Sequence, residues 1–190
     1  MDYIAALSIL KEGYTLLRSI EPTCWLSAGT ALGAHRDNLN RAFVEKDTDI
    51  DVGIVGKDGS DEQYKQITSL FTAHNFIVFR TYKGNGKRTQ IALCKNGIIF
   101  DIYLFYKKDN ELYSYTEHGV MSKPISFITN MSTVSIDKEK YFVPTPIDEY
   151  LALRYGKDWD IPTKEKHPWE KECANLRIKK VKITDVGGIC

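Results

Sequence analysis

The sequence predicts an α+β fold in a single domain, and three observations carry that prediction. Apolar residues at helical spacing mark both flanks, from Tyr3 to Leu17 and again in "PIDEYLALRYG". Between them lie three β-rich runs, "FIVFRTY", "RTQIALCK" and "IIFDIYLFY", separated by the hairpin signals "KGNGK" and "NG". At 190 residues, 43% of them hydrophobic, the chain is long enough for one well-buried core and short for two.

Taken in order, Tyr3, Leu7, Leu10, Tyr14 and Leu17 stripe one side of a first helix, which "EPTC" ends. "CWLSAG" reads as a short buried strand, and "GTALGAHRDN" as a Gly-flanked turn into a brief helix. In "VEKDTDIDVGIV" an acidic row runs into a strand whose Ile50, Val52 and Ile54 face the core. Ser60 and Gln63 have capping-box spacing, and Tyr64, Ile67 and Phe71 continue as a helix. The three β-rich runs form an antiparallel meander. Weaker strands are expected near "ISFITN" and "STVSID", and "YFVP" leads into the last helix, with Pro146 in its first turn. The tail from Lys164 is dense in charge, so the expected division is one folded domain over 1–169 and a charged tail over 170–190.

Lys+Arg 26 against Asp+Glu 25 gives a net charge of +1, so no global field gathers nucleic acid, and none is expected as a partner. The first twenty residues carry Asp2, Lys11, Glu12 and Arg18 among their apolar positions, which fits neither a signal peptide nor a transmembrane segment. The expected location is cytoplasmic, at most peripheral to the inner face of the membrane. Cys24, Cys94, Cys173 and Cys190 lack CxxC spacing and read as reduced, buried thiols. The histidines at 35, 74, 118 and 167 are remote from them in sequence, which gives a zinc site no support.

Asp47, Asp49 and Asp51 alternate, and on a strand alternate side chains share a face, about 6.6 Å apart. At an effective dielectric of about 20, neighbouring charges at that distance repel by about 2.5 kcal/mol, which favours raised pKa values or a bound cation. An oxygen-only donor set without histidine suits magnesium. Asp101 stands alone among Ile98, Ile99, Phe100, Ile102, Tyr103 and Leu104, where a charge is costly unless paired, protonated or metal-bound. Its alternative partners are Arg36, Arg80 and Arg88. Gly29 and Thr30 open a helix whose N-terminal amides are suited to phosphate.

Together, "LSAGTALGAHRDN", "DTDIDVGI", "FDIYLF" and "PTPIDEYLALRYGKDW" resemble the LicD and fukutin family of phosphotransferases, within the nucleotidyltransferase superfamily. The resemblance implies a nucleotidyltransferase-like mixed sheet flanked by helices. It implies that Asp47, Asp49, Asp51 and Asp101 bind Mg2+, or Mn2+ in its place, and that Asp49, Asp51 and Asp101 are catalytic. Gly29 and Thr30 would cradle the donor phosphates. The implied reaction moves a substituted phosphate such as phosphocholine or ribitol phosphate from a CDP-linked donor to a glycan hydroxyl, releasing CMP, and a lipid-linked glycan is among the acceptors it implies. Arg36 and Arg88 are the basic groups expected to meet the diphosphate, with Arg154 near the substrate pocket and His167 as an acid or phosphate donor. The alternatives are a nucleotidyltransferase moving a nucleoside monophosphate onto a protein or small molecule, and a non-catalytic module that binds a structural cation.

Overall fold

Asp2 caps the first helix, α1 (Tyr3–Ile20), its carboxylate accepting from the amides of Ile4 and Ala5. The computed structural model describes residues 2–36, 43, 47–58, 61–116 and 119–162. The buried stripe of α1 is Ala6, Ile9, Leu10, Gly13, Tyr14 and Leu17. Gly13 is small for a reason: a Cβ there would come within 2.7 Å of the Phe100 ring, so glycine lets the helix lie close against the sheet. The Tyr14 hydroxyl donates to the Cys24 carbonyl and accepts from the Phe142 amide, pinning two further segments to the helix.

After α1 come β1 (Cys24–Leu26), α2 (Ala28–Arg36), β2 (Asp49–Val55), α3 (Asp61–Ala73), β3 (Ile77–Gly84), β4 (Lys87–Lys95) and β5 (Ile98–Lys108). They build a sheet in the order β1-β2-β5-β4-β3. The expected meander is present: β3, β4 and β5 pair antiparallel, through tight turns at Asn85-Gly86 and Asn96-Gly97 with positive φ at all four residues. β2 pairs parallel with β5 and antiparallel with β1, so the sheet is mixed. A parallel neighbour needs a crossover, and α3 with the β3-β4 hairpin supplies it.

One face of this sheet carries Ile50, Val52, Ile54, Ile91, Leu93, Phe100, Ile102 and Leu104, all buried in the main core with residues of α1 and α3. Burial at these positions provides most of the drive to fold. The opposite face bears the aspartates at one end. At the other end a smaller cluster of Trp25, Phe105, Leu112 and Ile128 closes it.

Beyond β5 follow β6 (Glu111–Thr116), β7 (Gly119–Pro124), a short α4 (Ser126–Thr129), the hairpin β8 (Ser132–Ile136) with β9 (Glu139–Val143), and α5 (Ile147–Tyr155). The segment "ISFITN" therefore forms a helical turn and not the expected strand. Phe127 joins the main core and Ile128 the smaller cluster, so both successive side chains are used inward. Pro146 caps α5 from just outside its first turn.

Gln63, expected in a capping box with Ser60, anchors the start of α3. Its side chain accepts from the Lys57 amide and donates to Glu21 and the Val55 carbonyl, tying α3 to the end of β2; Ser60 lies outside the described residues. Cys24 is a buried free thiol as expected, whereas Cys94 is disulfide-bonded, a bond that no CxxC spacing announces. Among the described residues no helix is long and apolar enough to cross a membrane.

Candidate active site

Parallel pairing of β2 with β5 sets Asp51 directly opposite Asp101 and Asp49 opposite Ile99. Because alternate residues share a face, Asp49, Asp51 and Asp101 converge on the side away from the main core. An oxygen of each carboxylate lies within 4.8 Å of the other two. Asp51 and Asp101 are buried and Asp49 is half-buried.

Two neighbours fix Asp51. The Gly29 amide donates to its Oδ2 at 3.0 Å, and its own amide donates to Thr30 Oγ1 at 2.8 Å. The Ser27 amide donates to the Asp51 carbonyl at 3.0 Å, so the start of α2 is stitched to β2 at three points. Ala28, between them, has φ 44, a left-handed conformation rare for a residue with a side chain. Gly29 also stands against Asp47: a Cβ at this position would be 2.4 Å from Asp47 Oδ2. The Gly29–Thr30 pair, read from sequence as a phosphate cradle, thus has its amide and hydroxyl committed to holding Asp51. Asp47 precedes β2, where the alternation of a strand has not begun, and the structure leaves it outside the triad and beside Gly29.

The cluster carries its charge at a cost. Burial pushes the Asp51 carboxyl well above the usual range, with Asp49, Asp47 and Asp101 adding to it and Arg154 opposing. Burial and Asp49 push Asp101 up to about 7, against Arg80. Neither oxygen of Asp101 has a hydrogen-bond partner, although both are buried. Three crowded carboxylates, one with both oxygens unsatisfied, and no nitrogen or sulfur among them fit a hard divalent cation such as Mg2+ or Mn2+.

The predicted basic residues separate. Arg154, on α5, is close enough for its charge to act on Asp51, Tyr103 and Tyr150. Arg36 ends α2, half-buried. Arg88 does not join the aspartates: it donates to Asp61 at 3.2 Å and to Thr81 at 3.0 Å, and lies over the Tyr64 ring at 3.8 Å. The reason is a bulge. Tyr82 pairs with Gln90 but Lys83 with Arg88, so one extra residue on β4 turns Arg88 to the opposite face. His167 lies outside the described residues, as does the predicted tail.

Sequence reasoning missed several neighbours. Tyr103, two residues beyond Asp101 on the same face, has its phenol pushed well above the usual range by burial and by Asp51 and Asp101; strand alternation alone would have found it. Tyr150 shares a hydrogen bond with Ser27 Oγ at 2.9 Å and accepts from Lys123 Nζ at 3.3 Å. Burial pushes its phenol up, but Lys123 and Arg154 outweigh that and hold it below the usual value. Lys123 is itself buried, and no sequence signal marks it. His35 bonds Asp148 at 2.8 Å and stacks on Trp159, which ties α2 to α5 and the turn after it.

A family profile described as "LicD/FKTN/FKRP, nucleotidyltransferase domain" matches residues 21–146, a span that includes all three clustered aspartates. The chain belongs to this LicD family. Among its relatives are the proteins named ribitol-5-phosphate transferase FKTN. That of Mus musculus is 26% identical over 179 residues, covering 90% of this chain and 36% of the relative. That of Homo sapiens is 24% identical over 181 residues, covering 91% and 37%. The chain thus spans little more than a third of the length of these relatives. The crystal structure of ANT(2")-Ia in complex with adenylyl-2"-tobramycin superimposes with a TM-score of 0.51 at 16% identity, covering 89% of this chain and 88% of that one. At that identity the likeness speaks to fold, and the fold of this LicD-family chain is nucleotidyltransferase-like.

Proposed function

We propose that the chain is a metal-dependent transferase that moves a substituted phosphate group from a CDP-linked donor to a glycan hydroxyl and releases CMP. The observation that carries this reading is the convergence of Asp49, Asp51 and Asp101, with Asp51 and Asp101 in direct register across a parallel strand pair. Membership of the LicD family supports it, and the name of the matched relatives makes ribitol phosphate the first group to test.

Asp49, Asp51 and Asp101 would hold Mg2+ or Mn2+. When bound, the cation neutralises developing charge on the phosphate oxygens and aligns them for in-line displacement. The remaining work falls to the protein. Gly29 and Thr30 lock the Asp51 carboxylate and backbone, so the pocket is formed before substrate arrives. Asp101, buried among the converging carboxylates, is the residue assigned to take the proton of the attacking hydroxyl. Arg154 adds positive charge beside Asp51, where an anionic donor would sit.

The test has two stages. A thermal-shift series with Mg2+ compares cytidine, uridine, guanosine and adenosine diphosphate-linked donors, because a ligand that binds only the folded state raises its melting temperature. A cytidine-selective shift, led by CDP-ribitol, is expected. Product analysis with a glycan acceptor then follows CMP. Nucleotide left on the acceptor, with the donor's phosphorylated substituent released (or pyrophosphate where a nucleoside triphosphate is supplied), would establish nucleotidyl transfer instead, and indifference to every donor would overturn the reading.

A further inference from the structure

The β3-β4 ladder contains a second irregularity, and it bears on the aspartates. Val78 pairs with Leu93 but Arg80 pairs with Ala92, so Phe79 is an extra residue on β3. In an unbroken ladder Phe79 would face Ala92. The bulge brings Arg80 there in its place, onto the face that bears the carboxylates. Ala92 in turn pairs with Asp101, and Asp101 with Asp51. Asp51, Asp101, Ala92 and Arg80 therefore form one row across four adjacent strands. The small side chain of Ala92 leaves the guanidinium a path over it.

The contact that results is unfinished on both sides. Arg80 Nη2 is 3.6 Å from Asp101 Oδ2, longer than a hydrogen bond, and both Asp101 oxygens lack hydrogen-bond partners. Arg80 Nε is buried and equally without one. A structural ion pair between these residue types is ordinarily a short, bidentate fork. Here the guanidinium lies beside the rings of Phe79 and Tyr82, at 5.3 and 5.8 Å, and the side chain is 31% exposed, so a ligand in the acidic pocket can reach it.

We infer that Arg80 binds the donor's phosphate oxygens. Its loose approach to Asp101 holds the guanidinium in place in the free protein, and its unused donors form a fork that suits a phosphate above the aspartates. The inference rests on the proposed nucleotide-diphosphate donor. It adds to that reading the cationic group across the triad from Arg154.

Cytidine diphosphate is the probe. Wild type, Arg80→Met and Arg80→Lys are titrated first with Mn2+ alone, following free Mn2+ by electron paramagnetic resonance, and then with CDP at saturating Mn2+ by calorimetry. Arg80→Met is expected to bind Mn2+ at least as tightly as wild type, having lost a competing cation, while its CDP affinity falls at least tenfold. Arg80→Lys keeps the charge without the fork and should recover only part of that loss; it also stands in if Arg80→Met fails to fold. Unchanged CDP affinity in the variants would overturn the inference, and so would a parallel loss of Mn2+ and CDP, which marks a structural role. Wild type that takes up Mn2+ but not CDP would instead remove the nucleotide-donor reading on which the inference stands.

Discussion

Replacing Asp101 with Asn should make the metal-free protein more stable while ending the proposed transfer activity. Asp101 is buried, its oxygens have no hydrogen-bond partners, and its pKa rises from 3.8 to about 7, chiefly through burial and the charge of Asp49. A folded-state pKa raised above the unfolded value means that stability is fully present below about 4 and is lost as pH rises through about 7. The gap corresponds to about 4 kcal/mol, a figure that already includes the opposing pull of Arg80. Asn removes the charge but leaves a buried amide imperfectly paired, at about 1–3 kcal/mol. The net gain is about 2 kcal/mol at pH 8, or about 4–8 °C in melting temperature for a chain of this size. The assay is thermal denaturation of Asp101→Asn and wild type in EDTA from pH 5 to 8.5. The difference should be small at pH 5, open towards pH 7 and level off above it. Mg2+ should then raise the melting temperature of wild type at pH 8 and leave the variant unmoved. A variant less stable than wild type at pH 8 in EDTA, or a difference that ignores pH, would refute the reasoning.

Three further substitutions probe the surroundings. Gly29→Ala drives a methyl to 2.4 Å from Asp47 Oδ2 and should weaken Mn2+ binding by about tenfold in calorimetry, in line with other losses of groups that orient metal ligands. Thr30→Val leaves the buried Asp51 amide without its acceptor, so a loss of about 1–3 kcal/mol is expected from urea unfolding, with Thr30→Ser close to wild type. Arg88→Met removes contacts to Asp61, Thr81 and Tyr64 and nothing at the aspartates; donor KM should stay within about twofold, with a stability loss of about 1 kcal/mol.

The site was legible where a short period carries the information. Asp49 and Asp51 could be read as sharing a face because strand side chains alternate, and Asp101 because an acid amid six apolar neighbours needs a reason. Asn-Gly turns announced the hairpins that bring β5 back beside β4. What could not be read is register. Nothing local says that Asp51 pairs with Asp101, since their strands are joined only by the crossover through α3, β3 and β4. The two bulges hid more: each inserts one residue, and together they put Arg80 on the face of the aspartates and Arg88 on the other. Asp47 was placed with the triad by extending alternation past the end of the strand. Gly29 and Thr30 read as a phosphate cradle, but in the fold they hold the Asp51 carboxylate and backbone, a contact only the folded chain reveals.

Whether these carboxylates hold a cation at the reacting phosphate decides the proposed function. Crystals grown with Mn2+ and CDP, examined in an anomalous difference map at the manganese edge, measure this directly. The predicted result is a peak within about 2.0–2.3 Å of an oxygen from each of Asp49, Asp51 and Asp101, with a CDP phosphate oxygen completing the shell. A peak elsewhere, or ordered CDP with no manganese between it and the three aspartates, would contradict it.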